Sequence, residues 1–175
     1  MSVNGMAPVG PVARVGLFIA GLLLAGCFQS AVVSQGASAA PNKVVAKMKM
    51  DQKGGALDAG STGTPIDNIH VTVPPDTLSQ ETEITLGYNQ EPVTIREGTW
   101  CGVTLVLGAN PKAAFKAGVT LAIPYTSAGK AGMVVPYEID EKGRLHVMSI
   151  VKLDREKNVL TVSTLKPCSM TWVFV

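Results

Sequence analysis

Apolar and polar residues alternate with a period of two at several points along this chain. Ile69, Val71 and Val73 share one parity while His70 and Thr72 take the other; Ile84 and Leu86 alternate with Glu83 and Thr85; Val119, Leu121 and Ile123 alternate with Thr120 and Ala122. Successive side chains of a strand point to opposite faces, so this pattern specifies half-buried β-strands. No window of twelve residues after Cys27 carries the 3.6-residue period of a helix.

Further strands are expected over Val44 to Met50, Val93 to Ile95, Val103 to Leu107, Met133 to Ile139, Leu145 to Val151, Val159 to Leu165 and Ser169 to Val175. Turn-forming residues separate them: Pro74-Pro75-Asp76, Gly108-Ala109-Asn110-Pro111, Thr126 to Gly132, Asp140-Glu141-Lys142-Gly143 and Asp154 to Asn158. About 8–10 short strands at this spacing predict an all-β domain over 43–175, an antiparallel β-sandwich or a barrel. Loops of four or five residues join antiparallel neighbours, so the last three strands are expected to run as a meander.

Composition narrows the function classes. All 13 acidic residues and every basic residue except Arg14 lie after Cys27, leaving 14 positive against 13 negative charges there. Near-balanced charge without a lysine or arginine run leaves no electrostatic footprint for nucleic acid. The 175 residues leave room for one domain with a real core plus a targeting segment.

That targeting segment is the N-terminus. Val15 to Gly26 is an apolar run of 12 residues, where a helix needs roughly 20 to cross the hydrocarbon layer. Following one arginine and ending in small residues, it has the layout of a secretory signal. Its end, Leu24-Ala25-Gly26-Cys27, resembles the bacterial lipoprotein signal, in which the cysteine thiolate takes up diacylglycerol and a peptidase cuts just before it. The resemblance implies a signal peptide over 1–26, a lipidated Cys27, and a membrane contact made through lipid. Phe28 is not the aspartate that commonly retains lipoproteins at the inner membrane, so an outer-membrane position is favoured where the host has one, and otherwise the outward face of the cell membrane. Residues 28–42, FQSAVVSQGASAAPN, are small, uncharged and aperiodic. They read as a flexible tether with a root-mean-square reach of roughly 20 Å. The competing site is Ala37-Ser38-Ala39, where ordinary cleavage would release a soluble periplasmic protein, such as a ligand carrier.

Gly54-Gly55, then Val73-Pro74-Pro75-Asp76-Thr77-Leu78, then Thr82-Glu83-Ile84-Thr85 form an ordered series, continued by FKAGVTLAIPY from Phe115 to Tyr125 and by Ser169 in SMTWVFV. This series resembles the ZU-five domain, shared by zonula occludens proteins, the Unc-five netrin receptors and ankyrins. In that family the second motif reads Ile-Pro-Pro-Gly-Ala-Leu, so Asp76 replaces a glycine and Thr77 an alanine; Ala117 stands for a proline, and Pro167-Cys168 for His-Phe. Asp tolerates the left-handed turn that the glycine position needs. The resemblance implies a β-sandwich that binds other proteins, here another envelope protein, and catalyses nothing.

Cys101 and Cys168 are an even pair in an exported chain. Their parities match Val103, Leu105 and Leu107, and Met170, Trp172 and Phe174, so both thiols are expected on core faces. A disulfide across this 67-residue separation would add up to about 4 kcal/mol in the chain-entropy model; the alternative is two separate buried thiols. His70 and His146 fall on polar parities, without the HxH or CxxC spacing of a metal site, so no metal or other cofactor is expected. A secreted hydrolase built on Cys168 and His146, or on a metal, is the alternative of another class, and needs an ionised Cys168. Some relatives of the ZU-five domain adjoin a module that cleaves itself at His-Phe-Ser. This chain keeps Ser169 but has Pro167 in place of the base. Asp140, Glu141, Asp154 and Glu156 lie among lysines and arginines and read as solvated turns, while Trp172 and Phe174 read as core anchors.

Overall fold

The computed structural model describes residues 40–90, 99–100, 103–112, 114–126 and 133–175. Cys27, most of the tether, Cys101 and the strand expected at Val93 to Ile95 lie outside these residues. The described chain forms two antiparallel sheets packed as a β-sandwich, from twelve strands: β1 Lys43–Met50, β2 Gly55–Asp58, β3 His70–Val73, β4 Thr82–Asn89, β5 Thr99–Trp100, β6 Thr104–Asn110, β7 Val119–Pro124, β8 Val134–Ile139, β9 Leu145–Val147, β10 Ile150–Asp154, β11 Val159–Thr164 and β12 Cys168–Phe174. One sheet has the order β1-β4-β6-β12-β8-β9, with β5 beside β12; the other runs β10-β11-β7-β3-β2.

The core lies between the sheets and is built from the parities seen in the sequence. Val71, Val119, Leu121, Leu160 and Val162 of the smaller sheet face Ile84, Leu86, Leu105, Leu107 and Met170 of the larger, all essentially inaccessible to water. Each such side chain contributes about 1.5–3 kcal/mol through removal of apolar surface from water. β12 is buried on both faces: Met170 and Trp172 belong to the core, while Thr171 and Val173 of the opposite parity are also fully buried. A strand covered on both sides carries apolar residues at nearly every position, which accounts for the run SMTWVFV.

Two expectations are corrected. The stretch Leu145 to Val151 is two strands, because the chain leaves β8's side at Val147 and enters the other sheet at Ile150; Met148 is buried in the crossing. The last three strands are also not a meander. β10 and β11 form an antiparallel hairpin, but β12 crosses to the opposite sheet between β6 and β8. Short loops join antiparallel neighbours only within one sheet; at a sandwich edge the same few residues pass between layers.

The corner below β1 is closed largely by backbone. Gly54 N–H donates to the Asp51 carbonyl at 3.0 Å, and Asp76 N–H to the Gln52 carbonyl at 2.7 Å. Asp76 has φ 59°, a left-handed conformation that Asp tolerates better than most residues. Gly54, at φ 70°, lies where a Cβ would collide with the Val73 carbonyl oxygen. The domain also begins slightly earlier than Lys43, since Asn42 N–H donates to Asn89 Oδ1 at 2.6 Å and Pro41 packs over Gly87.

Candidate functional site

The strand registers leave a notch in the larger sheet. β12 starts at Cys168, opposite Leu107, while β6 continues through Gly108, Ala109 and Asn110. Those three residues pair with Thr85, Ile84 and Glu83 of β4 on one side. On the other side no strand of the described residues pairs with them. The chain before Cys168 cannot fill the place, because Pro167 has no N–H to give a ladder and Leu165 leads back to β11 in the other sheet. β8 flanks the far side and ends at Ile139. Two strand spacings separate β6 from β8, roughly 9.5 Å in all, the width that one missing strand would occupy.

Thr164, itself buried, organises the crossing that opens the notch. Its hydroxyl donates to the Lys166 carbonyl at 2.9 Å and accepts from the Lys166 N–H at 3.3 Å and the Cys168 thiol at 3.6 Å. The result is a half-open cavity of about 600 Å³, within the range of ligand and peptide pockets. Its apolar lining comes from Ala109, Ala114, Ile139, Pro167 and Cys168.

The rim is charged. Lys166 Nζ lies 2.7 Å from Glu138 Oε1, and that hydrogen bond holds the ammonium above its ordinary range. Asp140, in the turn between β8 and β9, accepts the Arg144 N–H at 2.8 Å, the Lys142 N–H at 2.9 Å and Arg144 Nε at 2.6 Å; His146 Nε2 is hydrogen-bonded to it at 3.1 Å. These donors, the Arg144 N–H foremost, hold its carboxyl well below the usual carboxylate range. Lys112 reaches Glu141 at 3.6 Å across exposed surface, while Lys142 has no carboxylate partner among the described residues. Four cations thus meet three carboxylates around the opening.

Cys168 is a free thiol in the lining, pushed up to about 11 by burial. The expected partner, Cys101, is not described, but its neighbour Trp100 pairs with Val173, five residues along β12 from Cys168. Five strand residues span roughly 16 Å, whereas a disulfide holds its Cα atoms within about 7 Å. A Cys101–Cys168 bridge would therefore require β5 to leave this register. The histidines lie apart: His146 sits in β9 and pairs with Asp140 of the rim turn, and His70 pairs with Asp58 on the other sheet. Ser169 is buried in β12 beside the cavity.

Cys168 packs against the core as its parity implies, and Glu141 lies in a solvated turn, whereas Asp140 of that turn is largely shielded by the donors around it. The sequence reading did not join that turn to Lys112 and Lys166. The one local signal was Pro167, a ladder-breaker immediately before a strand. No protein-family model matches this chain, and no curated protein matches it.

Proposed function

We propose that this chain is a lipid-anchored bacterial envelope protein whose ZU-five-like sandwich is a non-catalytic binding module. The observation carrying the proposal is the notch: a strand-wide gap with an apolar lining and a charged rim at the end of a rigid sandwich. A rigid scaffold with a concave, partly apolar opening and a few oriented polar groups suits recognition. A buried thiol hydrogen-bonded to Thr164 and held protonated by burial, with no histidine among the described residues hydrogen-bonded to it, does not suit nucleophilic attack, which needs a thiolate beside its base. The anchor rests on the lipoprotein-like end of the apolar run at Cys27, with the uncharged tether holding the sandwich just clear of the lipid surface. Stable anchoring takes more than one acyl chain, which the lipoprotein resemblance supplies.

The test is fractionation of cells producing the wild-type chain or Cys27→Ser. The wild type is expected in the membrane fraction, with an intact mass beginning at an acylated Cys27. The variant should become soluble or remain unprocessed. Unchanged membrane partitioning of the variant, or a wild-type mass beginning at Ala40, would refute the anchor.

A further inference from the structure

We infer that the notch receives a short, extended, acidic peptide segment of a protein partner, laid against the free edge of β6 in the place that β12 leaves open. This rests on the binding-module reading above and names the partner chemistry of that site.

Three observations combine. Gly108, Ala109 and Asn110 are held extended by β4, so their other edge presents backbone donors and acceptors already fixed in strand geometry. Adding a strand to such an edge gives affinity through main-chain hydrogen bonds, and alternate side chains supply selectivity. The strand-wide spacing to β8 limits the occupant to a single extended chain, and three residues of free edge make it short. Side chains directed inward from that occupant would meet Ala109 and Cys168.

The charge around the opening selects acidic side chains. Glu138 is engaged by Lys166 and Asp140 by Arg144, at 2.7 and 2.6 Å, and Asp140 accepts two backbone N–H groups besides. These carboxylates already have partners. Lys142 has no carboxylate among the described residues, and Lys112 holds only the exposed Glu141 at 3.6 Å, a contact of the weak, solvent-screened kind that a better placed carboxylate displaces. A basic segment would face four cations against three carboxylates, of which only the exposed Glu141 is weakly held. The chain's own tether cannot serve, because residues 28–42 carry no acidic side chain. The carboxylate has two possible sources on one peptide, a Glu or Asp side chain or the C-terminus.

The experiment uses the full chain in detergent and fluorescein-labelled hexapeptides of alternating valine and glutamate, with free or amidated C-terminus, and a valine–lysine counterpart, read by fluorescence anisotropy up to millimolar protein. The acidic peptides are expected to bind at least about tenfold more tightly than the basic one, and to weaken as salt screens the rim. Equal affinity of the two acidic forms assigns recognition to side chains; binding only of the free acid assigns it to the terminus. Ala109→Trp fills the slot and should weaken binding at least about tenfold with the melting temperature retained. If that variant does not fold, the double change Lys112→Glu and Lys142→Glu, both at exposed positions, should do the same. No binding of either acidic peptide, equal binding of the basic peptide, or binding indifferent to the lysine changes would overturn the inference. So would self-association of the wild type that the same variants abolish, which would give the slot to a second copy. Cross-linked pull-down then separates this from the broader reading. Partners retained equally by wild type and Ala109→Trp would sink the notch but keep the module; no partner with either would sink the module itself.

Discussion

Two regions share one end of the sandwich and solve the same problem in opposite ways. At the corner under β1, Gly54, Pro74 and Asp76 bring backbone against backbone, leaving no room for a Cβ at Gly54. At the notch beyond β12, the crossing at Leu165 to Pro167 leaves a strand-wide opening edged by lysines and carboxylates. Phe115 and Lys116 run between them, donating N–H groups to the Leu165 carbonyl at 2.7 Å and the Thr77 carbonyl at 3.0 Å. The corner is held by hydrogen bonds and close approach of backbone, which stabilise the fold. The notch leaves an extended edge and excess positive charge exposed, which contribute little to stability and are available to a partner.

The largest expected difference lies between two glycines. Gly54→Val should cost about 3 kcal/mol or more in urea unfolding, through collision with the Val73 carbonyl and a left-handed backbone. Gly108→Val, where the nearest atom to a new Cβ is Thr85 Cβ at 3.5 Å, should cost less than about 1 kcal/mol. Equal losses would erase the distinction between corner and notch. Next, the Cys168 thiol in the native protein should react with iodoacetamide at pH 8 about a hundredfold more slowly than an ordinary cysteine, as expected for a thiol pushed up to about 11. Rapid labelling would show an open, ionised lining. Titration after denaturation without reductant should find Cys101 and Cys168 both free.

A smaller effect is expected at Thr77. Its hydroxyl is buried in the corner without a hydrogen-bond partner among the described residues. Thr77→Val should raise stability by about 1 kcal/mol, because an unsatisfied buried hydroxyl is replaced by a methyl of the same shape. A loss of stability would mean the hydroxyl has a role that the corner's packing does not reveal. The smallest effect concerns pH. Asp140 titrates lower folded than unfolded, so its contribution is present above about pH 4 and lost as pH falls through its folded value. Thermal stability should decline below pH 4, and less steeply in Asp140→Asn. An identical decline in the variant would remove the rim turn as its source.

How far the fold was legible follows from the same physics. Strands whose two faces differ, such as Ile69 to Val73 and Val119 to Ile123, announce themselves by parity because each residue reports its own face. β2 was missed since Gly55–Asp58 offers four residues, one of them glycine, and only Leu57 is buried. The break at Met148 was invisible because Leu145, Val147, Met148, Ile150 and Val151 keep an apolar run going through it, although only Met148 is buried there while Val147, Ile150 and Val151 are exposed. The notch depends on where β6, β8 and β12 end relative to one another. Those offsets are set by pairings such as Leu107 with Cys168 and Ile139 with Ser169, which join residues far apart in sequence. No local pattern encodes them, although Pro167 marks where the ladder stops.

The most direct test is an amide chemical-shift map of the isotopically labelled full chain during titration with the acidic hexapeptide. Shifts concentrated at Gly108 to Lys112, Lys142 to Arg144 and Lys166 to Ser169, with the amides of Gln52 to Gly55 and Asp76 to Leu78 unmoved, are the expected result. Shifts centred on the corner or on the outer edge of β1, or none at millimolar peptide, would contradict it.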